Sequence, residues 1–298
     1  MHNIKLTIAY DGSGFHGWQI QPGQPTIQGV LSTVLRQLTQ EQLTLHGAGR
    51  TDAGVHAWGQ VANFKTQSSI APQEFARALN ALLSPEIRVR HAEEVGPDFH
   101  SRWLARAKTY QYRIYRGRVV PPFLWRYVLQ EAGPLDFAAM AEATHLFVGE
   151  HDFSSFAAST GSEEEDRERT TRRSVFRAEI LKAPALADGE TLPDGFRSER
   201  TLAADAPAPS AQDGEEWIFL VRGQSFLRHM VRKMAGTLLE VGRGRLDPGD
   251  IPRLLALGDR TCSGPTAPPQ GLCLLSVEYP DPISLDSLQT QPLGNRVL

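Results

Sequence analysis

Cysteine is nearly absent: of 298 residues only Cys262 and Cys273 carry a thiol. Their C-x10-C spacing is neither a disulfide framework nor a zinc ribbon, so they read as two stray thiols of a cytosolic protein. Long apolar runs are also missing, which argues against a membrane span. The N-terminus, "MHNIKLTIAYDG", enters a strand pattern at once and leaves no room for a signal peptide. No sequence repeat, nucleotide-binding motif or metal-ligand spacing is found. The 41% hydrophobic and 22% charged residues are the proportions of a soluble globular protein, long enough for one large domain or two ordinary ones.

Acid exceeds base overall, giving a net charge of −3. The excess is local. From Pro184 to Glu216 there are eight acids and two bases, so this segment carries −6 and the remainder +3. The segment is rich in Pro, Ala, Asp and Gly and has almost no apolar period, so residues 184–216 are expected to be a solvated, disordered insertion. A basic face elsewhere remains compatible with nucleic acid.

The elements follow a repeated order. Ile4 to Tyr10 alternate as a strand. "TIQGVLSTVLRQLT" places Ile27, Val30, Leu31, Val34, Leu35 and Leu38 at helical spacing behind an N-cap at Thr26. A short strand at Leu43 to Leu45, a strand through "HAWGQVANFKT", a helix opened by Pro72 and running through Leu83, and a strand at "EIRVRHAEEV" complete a β-α-β-β-α-β unit. The second half repeats it with longer connections: "TYQYRIYRG", a helix in "LDFAAMAEATHLFVG", strands "RSVFRAEILKA" and "EWIFLVRG", a long helix in "SFLRHMVRKMAGTLLEVG" with a short one at Ile251 to Leu257, and a last strand "LCLLSVEYP". The expected fold class is α+β, with two fused, ferredoxin- or RRM-like units sharing a mostly antiparallel sheet covered by helices. The expected domains are 1–106, carrying the glycine-rich loop, and 107–281, carrying the insertion, followed by a tail at 282–298.

The stretch that carries chemistry is "GAGRTDAGVHAWGQVANF". Gly47, Gly49 and Gly54 surround Arg50 and Asp52, and His56 follows as the next strand begins. Glycine removes side chains that would block a ligand, and charged loops on a rigid scaffold are where sites concentrate. A turn-capping role is the competing reading of Asp52. "Asp52-Ala53-Gly54" lacks the second acid-bearing loop of an aspartic protease. A glycoside-type hydrolase would need a partner acid at recognisable spacing. His46, Asp52 and His56 match no standard metal spacing, leaving them structural or RNA-facing. Two further candidates have bland alternatives. Arg228 and Arg232 lie one turn apart on the amphipathic helix, and Tyr110, Tyr112 and Ile114 share a strand face of the kind that usually faces a core.

The run "GRTDAGVHAWGQVANF" resembles the signature of the bacterial tRNA pseudouridine synthase A family. The resemblance extends, in family order, through "YDGSGFHGWQIQPGQPTIQGVL", "FHSRWLARAKTYQYRIY", "GEHDFSSFAA", "SFLRHMVRKMAG" and "GLCLLSVEYP", covering roughly residues 3 to 281. The acidic insertion and the tail depart from the family pattern. The resemblance implies the pseudouridine synthase fold and isomerisation of uridine to pseudouridine at positions 38, 39 and 40 of the tRNA anticodon stem-loop, with no cofactor and no metal. It implies that Asp52 is the catalytic nucleophile or base, acting by attack on C1′, addition to the uracil ring or removal of a C2′ proton. It further implies that Arg232 pairs with that carboxylate, that Tyr110 stacks on the target base with Leu272 against the same ring, and that Arg50 helps extrude the uridine. Partners implied are tRNA and a second copy of the chain, in the cytoplasm. An RNA-binding protein that kept the fold and lost the chemistry is the rival reading.

Overall fold

The computed structural model describes residues 1–159, 170–183 and 214–280. Most of the acidic insertion, and the tail at 282–298, lie outside the described residues. In chain order the elements are β1 (His2–Tyr10), α1 (Ile27–Thr39), β2 (His46–Gly47), β3 (His56–Thr66), α2 (Pro72–Leu82), β4 (Ile87–Val95), β5 (Ala107–Arg116), β6 (Leu129–Glu131), α3 (Phe137–His145), β7 (Gly149–Asp152), β8 (Arg172–Lys182), β9 (Glu215–Gly223), α4 (Met230–Gly242), α5 (Asp250–Leu257) and β10 (Leu272–Glu278). The strands hydrogen-bond in the order β4-β1-β3-β10-β5-β9-β8-β7, with β2 on β3 and β6 on β5. The class is α+β and the sheet is mostly antiparallel, as expected. The pairings of β10 with β3 and of β5 with β6 are parallel.

The residues fall into two compact units. The first comprises Met1–Tyr110, Arg222–Phe226 and the chain from Cys273 onward. Alternation along β1 sends Ile4, Leu6 and Ile8 into its core, each almost completely buried. Both neighbours of β1, β3 and β4, run antiparallel to it. The Thr26 hydroxyl caps α1 by accepting from Gly29 N at 3.3 Å. Leu31, Val34 and Leu35 bury the inward stripe of that helix, while Val30 and Leu38 are only half-buried. On α2, which does start at Pro72, Phe75 meets Phe64 of β3 edge to face at 5.4 Å.

The second unit comprises Gln111–Val221 and Leu227–Leu272. Its core gathers Phe147, Phe153, Phe156 and Phe219 with the inward stripe of α4. That helix makes a close approach possible at Gly236, where an added Cβ would lie 1.7 Å from Pro265 O. Arg113 and Glu216 form a two-pronged, largely buried ion pair at 2.5 and 3.0 Å.

Several sequence expectations need correction. The strand expected at Leu43 to Leu45 lies at His46–Gly47 instead, where it reaches β3. Two short strands, β6 and β7, were not foreseen, because "LQE" and the polar "GEHD" carry no alternating signal. Glu215, assigned to the insertion alone, already belongs to β9, which starts one residue before the expected "EWIFLVRG". Finally, α4 begins at Met230 and not near Ser225, because His229 takes a left-handed backbone (φ 61°) that breaks the helical pattern. Arg228 therefore precedes the helix and does not share a helical face with Arg232. It donates to Ser159 O at 3.3 Å.

Candidate active site

The loop from Gly47 to Val55 is fixed at nearly every residue. Ala48 N donates to Val61 O at 2.7 Å, and Lys108 Nζ donates to Ala48 O at 2.8 Å. Gln60 Nε2 donates to Gly49 O at 2.9 Å. Thr51 Oγ1 shares a hydrogen bond of 2.8 Å with Tyr10 Oη, and Thr51 O accepts from Trp18 N at 3.0 Å. After Asp52 the chain turns back, Val55 N donating to Asp52 O at 3.1 Å, with Gly54 at φ 76° supplying the left-handed step. Asp52 is half-buried at the apex, between buried Thr51 and buried Val55. The backbone that carries the Asp52 carboxylate is thus firmly held.

The glycines have an internal reason that sequence alone did not reveal. A Cβ on Gly47 would enter the Trp18 ring at 2.5 Å, and one on Gly49 would approach Lys108 Nζ to 2.9 Å. The loop after β1 packs on the Asp52 loop just as closely: a Cβ on Gly12 would lie 2.0 Å from Val55 O, and one on Gly17 would lie 2.5 Å from Thr51 O. These glycines therefore let two loops and a strand pack together, whatever space they also leave for a ligand. His56 has a structural place there. It is buried, its Nδ1 accepting from Gly12 N at 3.1 Å and lying 3.2 Å from Asp11 Oδ1.

Electrostatics follow from this packing. Burial pushes the Tyr110 phenol well above its ordinary value, and Tyr10, Asp52 and Cys273 add to the shift. Tyr110 is thus a neutral ring close enough to Asp52 to feel its charge, and it meets Phe226 edge to face at 5.2 Å. Tyr10 is raised chiefly by burial. Lys108 moves the other way: burial lowers it to about 8, and Arg102 contributes to the lowering.

The five residues singled out from the sequence divide between the units. Asp52, Tyr110 and Arg50 belong to the first, where Arg50 is exposed and its Nε donates to Gln19 Oε1 at 3.0 Å. Arg232 and Leu272 belong to the second. Arg232 is half-buried on α4; its Nε donates to Ala267 O at 2.7 Å, its own carbonyl accepts from Ala267 N at 3.1 Å, and its charge acts on Tyr112. Leu272 is buried at the start of β10. Tyr112 and Ile114 are core, as their strand face suggested, and Tyr112 Oη donates to Pro268 O at 2.9 Å. The supporting residues Tyr10, Gln60 and Lys108 were missed. Lys108 left a signal, since a charge on the Tyr110 and Tyr112 face of an otherwise buried strand has to be explained by a partner. Among the described residues no group of three or more His, Cys, Asp or Glu side chains is placed to hold a metal ion. No described helix is long and apolar enough to cross a membrane.

The sheet, its helices and the anchored acid loop define a mixed α+β protein whose candidate chemistry sits just before an interior strand. A family model described as tRNA pseudouridine synthase matches residues 6–103 and 143–280, taking in that loop, Arg232 and Leu272. The chain is 41% identical over 279 residues to the tRNA pseudouridine synthase A of Solibacter usitatus, covering 94% of this chain and 100% of that one. It is 42% identical over 278 residues to the protein of that name from Moorella thermoacetica, covering 93% and 99%. It is 40% identical over 279 residues to tRNA pseudouridine synthase A 1 of Desulfotalea psychrophila, covering 94% and 100%. The chain belongs to the tRNA pseudouridine synthase family.

Proposed function

We propose that this chain isomerises uridine to pseudouridine at positions 38, 39 and 40 in the anticodon stem-loop of tRNA, with Asp52 as its catalytic carboxylate. The observation that carries the reading is the Asp52 loop itself, inside the matched region and held by Tyr10, Gln60 and Lys108. In the reaction the N1–C1′ bond breaks, C5 bonds to C1′, and the proton on C5 is lost while N1 gains one. Nothing is oxidised and no outside atom is incorporated, so the chain's own side chains suffice, with no cofactor and no metal. Asp52 initiates it by attack on C1′, by addition to the ring, or by taking the C2′ proton; a primary isotope effect with 2′-deuterated uridine would single out the last.

The other residues are given supporting roles. A stacked uridine has to leave its helix first, at a cost of about a few kcal/mol. The exposed guanidinium of Arg50 suits that step, filling space or holding phosphate. Tyr110, neutral and buried, offers a flat apolar face to the extruded base, with Leu272 against the same ring. The role given to Arg232 is to pair with that carboxylate, a task for which guanidinium is suited because it can bind both oxygens at once. The active form is a homodimer in the cytoplasm, which light scattering and fractionation would check. The decisive test is turnover of an unmodified tRNA by the purified protein and by Asp52→Ala. Tight tRNA binding without product from the parent protein would instead favour a binding protein.

A further inference from the structure

Next to the acid loop, three aromatic rings stand in a row. His46, the residue before Gly47, lies with its ring 4.6 Å from that of His100, and His100 stacks on Trp103 at 3.9 Å with only 13° between the planes. Trp103 is 78% exposed. Isolated exposed tryptophans are common and mean little. This one is held in place. Leu104 N closes a turn onto His100 O at 3.1 Å. Ser101, fully buried between the two rings' parent residues, donates from Oγ to His46 O at 2.6 Å and from N to Asn63 Oδ1 at 2.9 Å, and accepts from Tyr279 Oη at 2.7 Å.

The surroundings are cationic. Arg102 and Arg106, on either side of Trp103 in the chain, are both exposed. Arg102 is exposed, and its charge reaches both His100 and Lys108. A fixed aromatic face beside exposed guanidinium groups is the combination by which proteins take up unstacked nucleotides: the ring accepts any base, and the cations meet phosphate. An apolar protein surface would have no use for the charges.

We propose that the Trp103 ring, backed by His100 and His46, is a stacking platform for an unpaired base of the tRNA substrate. This rests on the function proposed above. It makes Trp103 a binding residue that holds the RNA beside the loop and takes no part in the chemistry at Asp52.

The test uses the full chain and an unmodified tRNA transcript. Trp103→Ala should raise Kd by about ten-fold or more, within the range that loss of one base–aromatic stack produces. Turnover at saturating tRNA should stay unchanged, and Trp103→Phe should keep most of the affinity. The salt dependence separates stacking from charge: Trp103→Ala should leave the slope of log Kd against log salt unchanged, whereas Arg102→Ala should reduce it by about one. Titration with tRNA should quench tryptophan fluorescence in the parent and less so in Trp103→Phe. Parent turnover with an unaltered Kd in Trp103→Ala would overturn the platform alone. A loss of affinity that tracks dissociation of the dimer would assign Trp103 to protein contact and overturn it too. If the parent neither binds nor converts tRNA, the platform falls together with the function it rests on.

Discussion

Replacing Lys108 with Met tests how the acid loop is held. The Lys108 ammonium lies within the protein, bonded to Ala48 O at 2.8 Å, and burial lowers its pKa to about 8. An unfolded lysine titrates near 10.4, so keeping the charge inside costs about 3 kcal/mol. The direction with pH follows from proton binding. Between about 8 and 10.4 the unfolded chain holds the proton and the folded chain sheds it, so stability rises with pH across that window. The full cost applies below about 8. Lys108→Met removes the cost at every pH but leaves the Ala48 carbonyl without its donor, a penalty of about 1–3 kcal/mol. At pH 7 the two effects nearly offset each other. At pH 9.5 the parent has recovered roughly 2 kcal/mol that the variant cannot. Urea unfolding of both proteins at pH 7 and pH 9.5 reads the difference directly, because other titrating groups act equally on both. Curves that shift in parallel between the two pH values would show that Lys108 carries no buried charge. Turnover by Lys108→Met should fall in either case, since Ala48 lies four residues before Asp52.

Other perturbations follow the same geometry. Gly12→Ala would place a Cβ 2.0 Å from Val55 O, forcing backbone apart beside Asp52, and single-turnover kinetics should show a loss of about a hundred-fold. A rate within two-fold of the parent would show that the two loops need not touch. Gly236→Ala puts a Cβ 1.7 Å from Pro265 O in the second unit. Thermal unfolding should reveal destabilisation of about 1–3 kcal/mol, as overpacking produces. Burial alone would raise the Asp11 carboxyl, but the His56 ring beside it and the hydrogen bond from Ser13 N outweigh it and hold it well below the usual range. Its contribution to stability is therefore present above about pH 4 and lost as the pH falls below that. Asp11→Asn should accordingly show a shallower loss between pH 5 and pH 3 in urea melts.

Much of this was legible in the sequence, because the relevant signals are periodic or local. Alternation marked β1 and β3, helical spacing with Thr26 and Pro72 marked α1 and α2, and the charged glycine run marked the Asp52 loop. What escaped depends on partners distant in sequence. Gly12 and Gly17 are glycines because Val55 and Thr51 lie against them, more than thirty residues away. Gly47 and Gly49 read as openings for a ligand, yet Trp18 and Lys108 fill the space beside them. The helix containing Arg232 reads as starting at Ser225 because apolar periodicity carries no information about the left-handed turn at His229. Strands as short as β2 and β7 exist through pairing with β3 and β8, not through their own composition.

If the Asp52 carboxylate performs the uridine isomerisation, its removal must abolish the product. The most direct measurement is mass-resolved mapping of pseudouridine in an unmodified tRNA carrying uridines at positions 38, 39 and 40, after incubation with the parent protein or with Asp52→Ala, chelator present in both. The expected result is pseudouridine at those positions from the parent, none from the variant, and near-equal tRNA affinity for the two. Product from Asp52→Ala at the parent's rate, or none from a parent that binds the tRNA tightly, would contradict it.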